Sequence, residues 1–320
     1  MFALRGIAVS LTFFVLLYCL LSALVAVAWR SLRLLPAQFL NTKEKRLADL
    51  LFALRVLPLA ASVLITFTVV VPSFQLLEPR SINIAEGIGA MPLALGVGAL
   101  LLIACGSFRV IAAQTRTSRV VARWLKGAHP LDARAQTVTF RSRRESPPLT
   151  LVGIRNPRVL VSESAVAFLS HDELRIALRH ELAHMQSGDN LKKLVFRFCP
   201  FPGMARLESV WSEAAELAAD DAAVSNLDDA VDLAAALVKL SRLLPLEAAP
   251  VCTVGFVAGS VSARVARLLA WNEAEAGKAQ PMRIRPWYAV PPVLAALFCV
   301  VATYGPTLAL THEVTEWLVR

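Results

Sequence analysis

The 320-residue sequence contains little charge: 18% of its residues are Asp, Glu, Lys or Arg, whereas 56% are hydrophobic. Soluble globular proteins usually carry about 25% charged residues. Cysteine is also scarce, and its five residues stand singly, without a C-x-x-C pair. The spacing argues against a disulfide framework and against a thiolate zinc site. The composition as a whole predicts membrane-spanning segments.

Four stretches contain no charged residue at all, and each exceeds the about 20 residues that a helix needs to cross a bilayer. They are residues 6–29, 56–77, 87–108 and 286–311. We expect all four to be transmembrane helices. The first should be retained rather than cleaved as a signal peptide, because its uncharged run is too long for an h-region and Arg30 follows at once. Spans without charge argue against a transporter, which needs polar groups along its pathway.

The loops between these stretches hold most of the net charge of +9. Residues 30–55 contain six basic and two acidic residues, and residues 109–150 contain nine basic and two acidic residues. Residues 78–86 and 312–320 each have one more acidic than basic residue. The positive-inside rule therefore places both basic loops in the cytoplasm and both termini outside an inner or plasma membrane. Anionic lipid accounts for the basic loops, and we expect no nucleic-acid partner.

One long hydrophilic segment, residues 109–285, lies between the third and fourth stretches and is large enough for a domain with its own core. Short strands are predicted at its beginning and helices after Ser164. The strand candidates are residues 136–140, 150–153 and 158–162, the last two joined by a turn at Asn156-Pro157.

The predicted fold is a mainly α membrane protein with a cytoplasmic α+β domain inserted between its third and fourth transmembrane helices. Residues 1–108 form the first membrane region, with three helices. Residues 109–285 form the inserted domain. Residues 286–320 hold the fourth helix and a short external tail.

His180 and His184 belong to the sequence His-Glu-Leu-Ala-His. A capping box that begins at Ser170 predicts the start of their helix, and Gly188 predicts its end. Residues four apart share one helical face, so both imidazoles can bind the same metal ion. Glu181 projects beside them and can accept a proton from metal-bound water. The pattern therefore predicts a metal site with a general base.

A catalytic zinc ion needs a third protein ligand and an open position. The alanine-rich residues 212–221 predict a helix, on which Glu216 and Asp220 share a face. Glu216 can serve as the third ligand while Asp220 bonds the distal nitrogen of a ligand histidine. Glu213 is the alternative ligand, and either glutamate could instead be a solvated surface acid.

Three further polar residues near the motifs have less specific roles. Asp189 either fixes the helix end by bonding the backbone or Arg197, or is a solvated loop acid. Arg197 and Arg206 lie between the two motifs. We expect both to face the membrane or the surface rather than to stabilise an oxyanion.

Together these motifs resemble the membrane zinc metallopeptidases of the β-lactam-sensor and antirepressor type, which are gluzincins. The segments that carry the resemblance are residues 149–161, 172–174, 180–184, 188–189, 216–220 and 262–269. The resemblance implies a zincin-like domain and one Zn²⁺ per chain, bound by His180, His184 and Glu216, with Glu181 as general base. It implies cleavage of a cytoplasmic or membrane-proximal protein, such as a repressor or a membrane protein, in regulatory proteolysis.

Two alternatives to this function stay open. The HtpX-type and CAAX-prenyl-protease-type membrane peptidases share the same motifs with differently arranged spans, which makes protein quality control the first alternative. A catalytically silent membrane signalling scaffold is the second, although no ligand residue is missing. In the sensor family an extracellular ligand-binding domain follows the fourth span. Here only residues 312–320 follow, so we expect that this chain does not sense β-lactam itself.

Overall fold

A computed structural model describes most of the chain. The described residues are 2–32, 44–78, 89–126, 128–130, 139–142, 147–154, 156–243, 254–255, 261–271 and 290–319. Among them helices predominate, with one small mixed sheet, as the sequence predicted. The chain divides into two compact units. We call Met1–Leu32, Val56–Cys105 and Gln280–Arg320 the helical unit, and Arg33–Arg55 with Gly106–Ala279 the mixed unit.

The first half of the chain forms long apolar helices. These are α1 (Phe2–Leu32), α2 (Glu44–Ile65), a π-helical segment (Thr66–Val70), α3 (Val71–Leu77) and α4 (Ala90–Leu125). Three stretches are long and apolar enough to cross a membrane, namely Phe2–Ser31, Glu44–Leu77 and Ala90–Leu125. They contain the first two predicted spans and the third from residue 90 onward, while residues 87 and 88 of the third lie outside the described part of the chain.

The predicted fourth span coincides with α11 (Val290–Val319) from residue 290 onward. Residues 286–289 lie outside the described part of the chain. The helix continues through most of the predicted external tail, ending at Val319. That α11 crosses the membrane stays a prediction.

Polar side chains connect the apolar helices of the helical unit. Ser73 Oγ donates a hydrogen bond to the carbonyl oxygen of Leu308 at 2.9 Å. The Tyr304 hydroxyl donates to the carbonyl oxygen of Thr68, in the π-helical segment, at 2.7 Å. Such bonds hold helices together in an apolar medium, where the hydrophobic effect contributes little between helices.

The described residues of the mixed unit include five short strands and six short helices. The strands are β1 (His129–Pro130), β2 (Thr139–Ser142), β3 (Leu149–Val152), β4 (Arg158–Ser162) and β5 (Val254–Gly255). The helices are α5 (Glu163–Phe168), α6 (His171–Ser187), α7 (Asp189–Phe198), α8 (Ala205–Ala223), α9 (Leu227–Arg242) and α10 (Val261–Leu269).

The strand order in the sheet is β1-β2-β4-β3-β5, with β2 and β4 parallel and the other pairs antiparallel. The predicted strands at residues 150–153 and 158–162 correspond to β3 and β4. The predicted strand at 136–140 is described only from Thr139, where β2 begins.

One hydrophobic core joins this sheet to the helices that follow it. Apolar side chains of β3 and β4 pack with those of α6, α9 and α10, and representative buried members are Leu151, Val159, Ile176, Leu237 and Leu268. Ile176 and Ala177 lie on the face of α6 that enters this core. The histidines of α6 are therefore held on a rigid helix beside β3.

Candidate metal centre

Both ends of α6 are fixed by local interactions that the sequence predicted. At its start, the Ser170 hydroxyl accepts a hydrogen bond from the Glu173 N–H at 3.2 Å, and Glu173 Oε2 accepts one from the Ser170 N–H at 2.8 Å. Lys239 of α9 lies 2.7 Å from the same Glu173 oxygen. At its end, Gly188 has a φ of 68°, which favours glycine. The helix that carries the two histidines thus has little freedom to shift.

His180, His184 and Glu216 place three potential ligand atoms within 4.8 Å of one another. The Nε2 atoms of the two histidines are 3.1 Å apart. Glu216 Oε2 lies 3.5 Å from His180 Nε2, and Glu216 Oε1 lies 3.6 Å from His184 Nε2. All three side chains are buried. Residues that are 36 positions apart in sequence therefore meet because α8 packs against α6.

The spacing of these atoms fits a zinc ion. Zn–N bonds of 2.0–2.1 Å in a tetrahedral arrangement put neighbouring ligand atoms about 3.3 Å apart. The two histidine nitrogens are 3.1 Å apart, close to that value, and Glu216 presents one oxygen to each of them, at 3.5 and 3.6 Å. Two imidazole nitrogens that face each other this closely need a proton or a cation between them, because two lone pairs repel. That these residues bind zinc stays a prediction.

Each histidine is oriented by a carboxylate at its other ring nitrogen. His180 Nδ1 lies 2.9 Å from Asp220 Oδ1, and His184 Nδ1 lies 2.7 Å from Asp189 Oδ2. This arrangement turns Nε2 of each ring toward Glu216 and the other histidine. Carboxylates in this position commonly support ligand histidines. Asp220 is therefore where its spacing from Glu216 suggested.

Asp189 was not assigned this position from the sequence. Its side chain is 4% exposed and bonds His184, so it is neither a solvated acid nor a partner of Arg197. The reason is the left-handed turn at Gly188, which reverses the chain at the end of α6. The first residue of α7 then faces the last turn of α6, a juxtaposition that helical periodicity alone does not reveal.

Arg264 of α10 is the second residue that sequence reasoning left without a role of its own. Its guanidinium donates two hydrogen bonds to Asp220, at 2.8 and 2.5 Å, and one to Glu216 Oε2 at 2.9 Å. The side chain is buried. It therefore holds Asp220 and Glu216 in fixed orientations while leaving Glu216 Oε1 toward His184.

Glu181 is fully buried beside this group, with 0% of its surface exposed. Among the described residues, neither carboxylate oxygen accepts a hydrogen bond of good geometry, although the Leu151 backbone of β3 lies close enough to lower the pKa slightly. Burial raises the pKa of Glu181 to about 7, against the opposing effect of the His184 and His180 imidazoles. A carboxyl group with this pKa can both accept and release a proton near neutral pH.

The group as a whole attracts cations. Burial alone would lower the pKa of His184, but Glu216 and Asp189 raise it to about 10. Burial would raise the pKa of Glu216, but the two imidazoles hold it far below its usual value. In the absence of a metal, the carboxylates therefore stabilise the protonated form of His184. A dication can replace those protons.

Glu213, the alternative ligand, is exposed on α8. The geometry thus selects Glu216 over Glu213 as the acid nearest the histidines.

No family model matches the chain, and a search of curated proteins finds no match either.

Proposed function

We propose that this chain is an integral-membrane zinc metalloendopeptidase that binds one zinc ion per chain. The observation that supports it most is that one ligand atom from each of His180, His184 and Glu216 lies within 4.8 Å of the others, in a buried group that also includes the Glu181 carboxyl. A structural zinc site usually has four protein ligands, whereas three protein ligands leave a position for water.

The chain's own residues would divide the chemistry as follows. His180, His184 and Glu216 hold the metal, which when bound lowers the pKa of water toward about 7 and polarises the substrate carbonyl. Glu181 takes a proton from the attacking water and passes it to the leaving amine. Its pKa of about 7 suits both steps. Asp220, Asp189 and Arg264 keep the ligand side chains in place.

The membrane setting follows from the three apolar helices and from the charge of the loops. We include α11 as a fourth span and place the mixed unit in the cytoplasm, with both termini outside. The substrate is then a cytoplasmic or membrane-proximal protein segment. Regulatory proteolysis is the role that the resemblance to the sensor-type family favours. Quality control of membrane proteins is the alternative.

Zinc content of the full-length protein in detergent tests the metal site. We expect about one zinc per chain in the unaltered protein and a loss of zinc in His184→Ala and in Glu216→Ala. Glu213→Ala is the matched control, because Glu213 lies one turn from Glu216 on the same helix and is exposed.

A second control excludes another metal-binding group. Glu78, His312 and Glu316 of the helical unit also place potential ligand atoms within 4.8 Å of one another. His312→Ala should leave the zinc content unchanged. If His312→Ala loses the zinc and Glu216→Ala keeps it, the assigned ligands are wrong.

Catalysis is tested separately with Glu181→Gln. This variant should keep its zinc and lose hydrolysis of fluorescently labelled denatured casein. Unchanged hydrolysis would remove Glu181 as the base. A protein that takes up no zinc at neutral pH, even when zinc is supplied, would favour the silent scaffold.

A further inference from the structure

A cavity of about 520 Å³ lies in the mixed unit, between α4, α7 and the first half of α8. Arg109 of α4 and Lys193 and Arg197 of α7 contribute cationic side chains to its lining. Phe196 and Trp211 contribute aromatic rings, which contact each other edge to face at 4.9 Å. None of these residues is one of the candidate zinc ligands His180, His184 and Glu216. The volume is in the range of small-molecule sites in proteins.

The charges in this cavity favour an anion. Glu208 is the one acidic residue in the described lining, against three basic residues. Its Oε1 atom accepts a hydrogen bond from Arg55 at 2.9 Å, so its charge is already balanced. Arg55 is buried and also donates to the carbonyl oxygen of Cys199. Glu208 therefore does not offset the positive charges that Arg109 and Arg197 bring to the lining.

Trp211 adds a buried donor. Its side chain is 1% exposed, and its indole N–H has no hydrogen-bond partner among the described residues. Buried N–H groups nearly always have a partner in folded proteins, so an unpaired one indicates a missing acceptor. An anionic oxygen in the cavity would supply that acceptor. Cations together with an indole N–H can bind a phosphate group.

Sequence position places the cavity at the membrane surface. Arg55 directly precedes the uncharged residues 56–77, and Arg109 directly follows the uncharged residues 87–108. The backbone of α4 packs closely on the end of α7, since a Cβ atom at Gly106 would lie 2.3 Å from the Phe198 carbonyl oxygen. Arg109 is then one helical turn from this contact. Lipid headgroups lie at the level where apolar helices meet a polar domain.

We propose that this cavity binds the phosphate headgroup of an anionic phospholipid. Arg109 and Arg197 neutralise the phosphate, and the Trp211 N–H donates to one of its oxygens. The sequence predicted that Arg197 faces the membrane or the surface, and the cavity gives it a specific ligand there. This inference does not depend on the chain being a zinc peptidase.

Native mass spectrometry of the full-length, zinc-depleted protein tests the proposal. Phosphatidylglycerol and phosphatidylcholine are titrated separately, and the affinity of the first bound lipid is compared. We expect a clear preference for phosphatidylglycerol. Replacing two cations in Arg109→Gln/Arg197→Gln should weaken its binding roughly thirtyfold, because each cation near an anionic headgroup contributes about a factor of five.

Arg206→Gln is the matched control. Arg206 is exposed on α8 and does not line the cavity, so its loss removes one positive charge from α8 without altering the site. We expect unchanged affinity in this variant. The single variant Arg197→Gln should weaken binding about fivefold. If Arg206→Gln weakens it as much, the lipid is attracted by general surface charge and the proposed site is wrong.

Trp211→Phe keeps an aromatic ring at this position and removes the N–H together with one ring of the indole, so its thermal transition is measured first to show that it folds. It should weaken phosphatidylglycerol binding severalfold, and it serves if the double variant does not fold. Inorganic phosphate distinguishes a lipid from a soluble anion. Displacement of the lipid by phosphate at equal concentration, or by an acidic peptide, would overturn the lipid assignment. So would equal binding of the two lipids.

Discussion

Raising the pH from 7 to 9 should strengthen zinc binding by this protein about a hundredfold, or tenfold per pH unit. Zinc binds only the neutral imidazole, so a proton on His184 competes with the metal. Glu216 and Asp189 raise the pKa of His184 to about 10 in the metal-free protein. Because the folded-state pKa is raised, the protonated form persists across this whole range. Each unit below the pKa then costs about 1.4 kcal/mol of apparent zinc affinity.

Below pH 7 the dependence should become steeper. Burial raises the pKa of Glu181 to about 7, so this carboxyl group becomes neutral there and one negative charge near the metal is lost. Glu181→Gln is the matched variant, since it is neutral at every pH. It should remove the additional slope below pH 7 and keep the slope between pH 7 and 9.

Competition with a zinc chelator of known pH dependence measures this effect at pH 6, 7, 8 and 9, at constant ionic strength. A zinc affinity that does not change between pH 7 and 9 would show that His184 is already neutral. That result would refute the claim that Glu216 and Asp189 keep His184 protonated above pH 7, because His184 would then have lost its proton below pH 7. The zinc affinities of the unaltered protein and Glu181→Gln should differ at the higher pH values, where Glu181 is charged, and become similar at the lowest pH, where it is neutral.

Two substitutions test the residues that support the ligands. Asp189→Asn should lower zinc affinity at pH 9 by about tenfold to a hundredfold in the same assay, because His184 loses the carboxylate that orients it; Asp172→Asn, 63% exposed, is the control that should have no effect. Arg264→Gln should destabilise the mixed unit by about 3–5 kcal/mol, measured as an earlier thermal transition, because buried Asp220 loses its counter-charge. Arg267→Gln, 37% exposed, should stay within about 1 kcal/mol, and an equal loss in both variants would contradict a special role for Arg264.

The sequence predicted those parts of the fold that depend on local patterns. The capping box at Ser170 and the helix end at Gly188 were correct because both require only residues within one helical turn. The first three uncharged stretches were correct as long apolar helices because bilayer thickness sets a length that can be counted. The pairing of β3 with β4 followed from two short runs around one turn.

The contacts that sequence patterns missed are all tertiary. Asp189 meets His184 only because the chain reverses at Gly188, and a loop acid five residues from a histidine has no diagnostic spacing. Arg264 meets Asp220 across 44 positions of sequence, and α10, which carries it, packs on α9. The cavity around Trp211 likewise depends on how three helices approach one another.

The charges at the ends of α7 and α8 differ in how they match the helix dipole. Asp189 lies at the first position of α7 and Arg197 in its last turn, so both charges match the dipole of that helix. Asp220 instead lies in the last turn of α8, where the dipole disfavours an acid, and Glu216 lies buried one turn before it. These two buried carboxylates need cations from elsewhere. Arg264 supplies one cation, and the proposed zinc ion would supply the other. Zinc should therefore raise the thermal stability of Arg264→Gln more than it raises that of the unaltered protein.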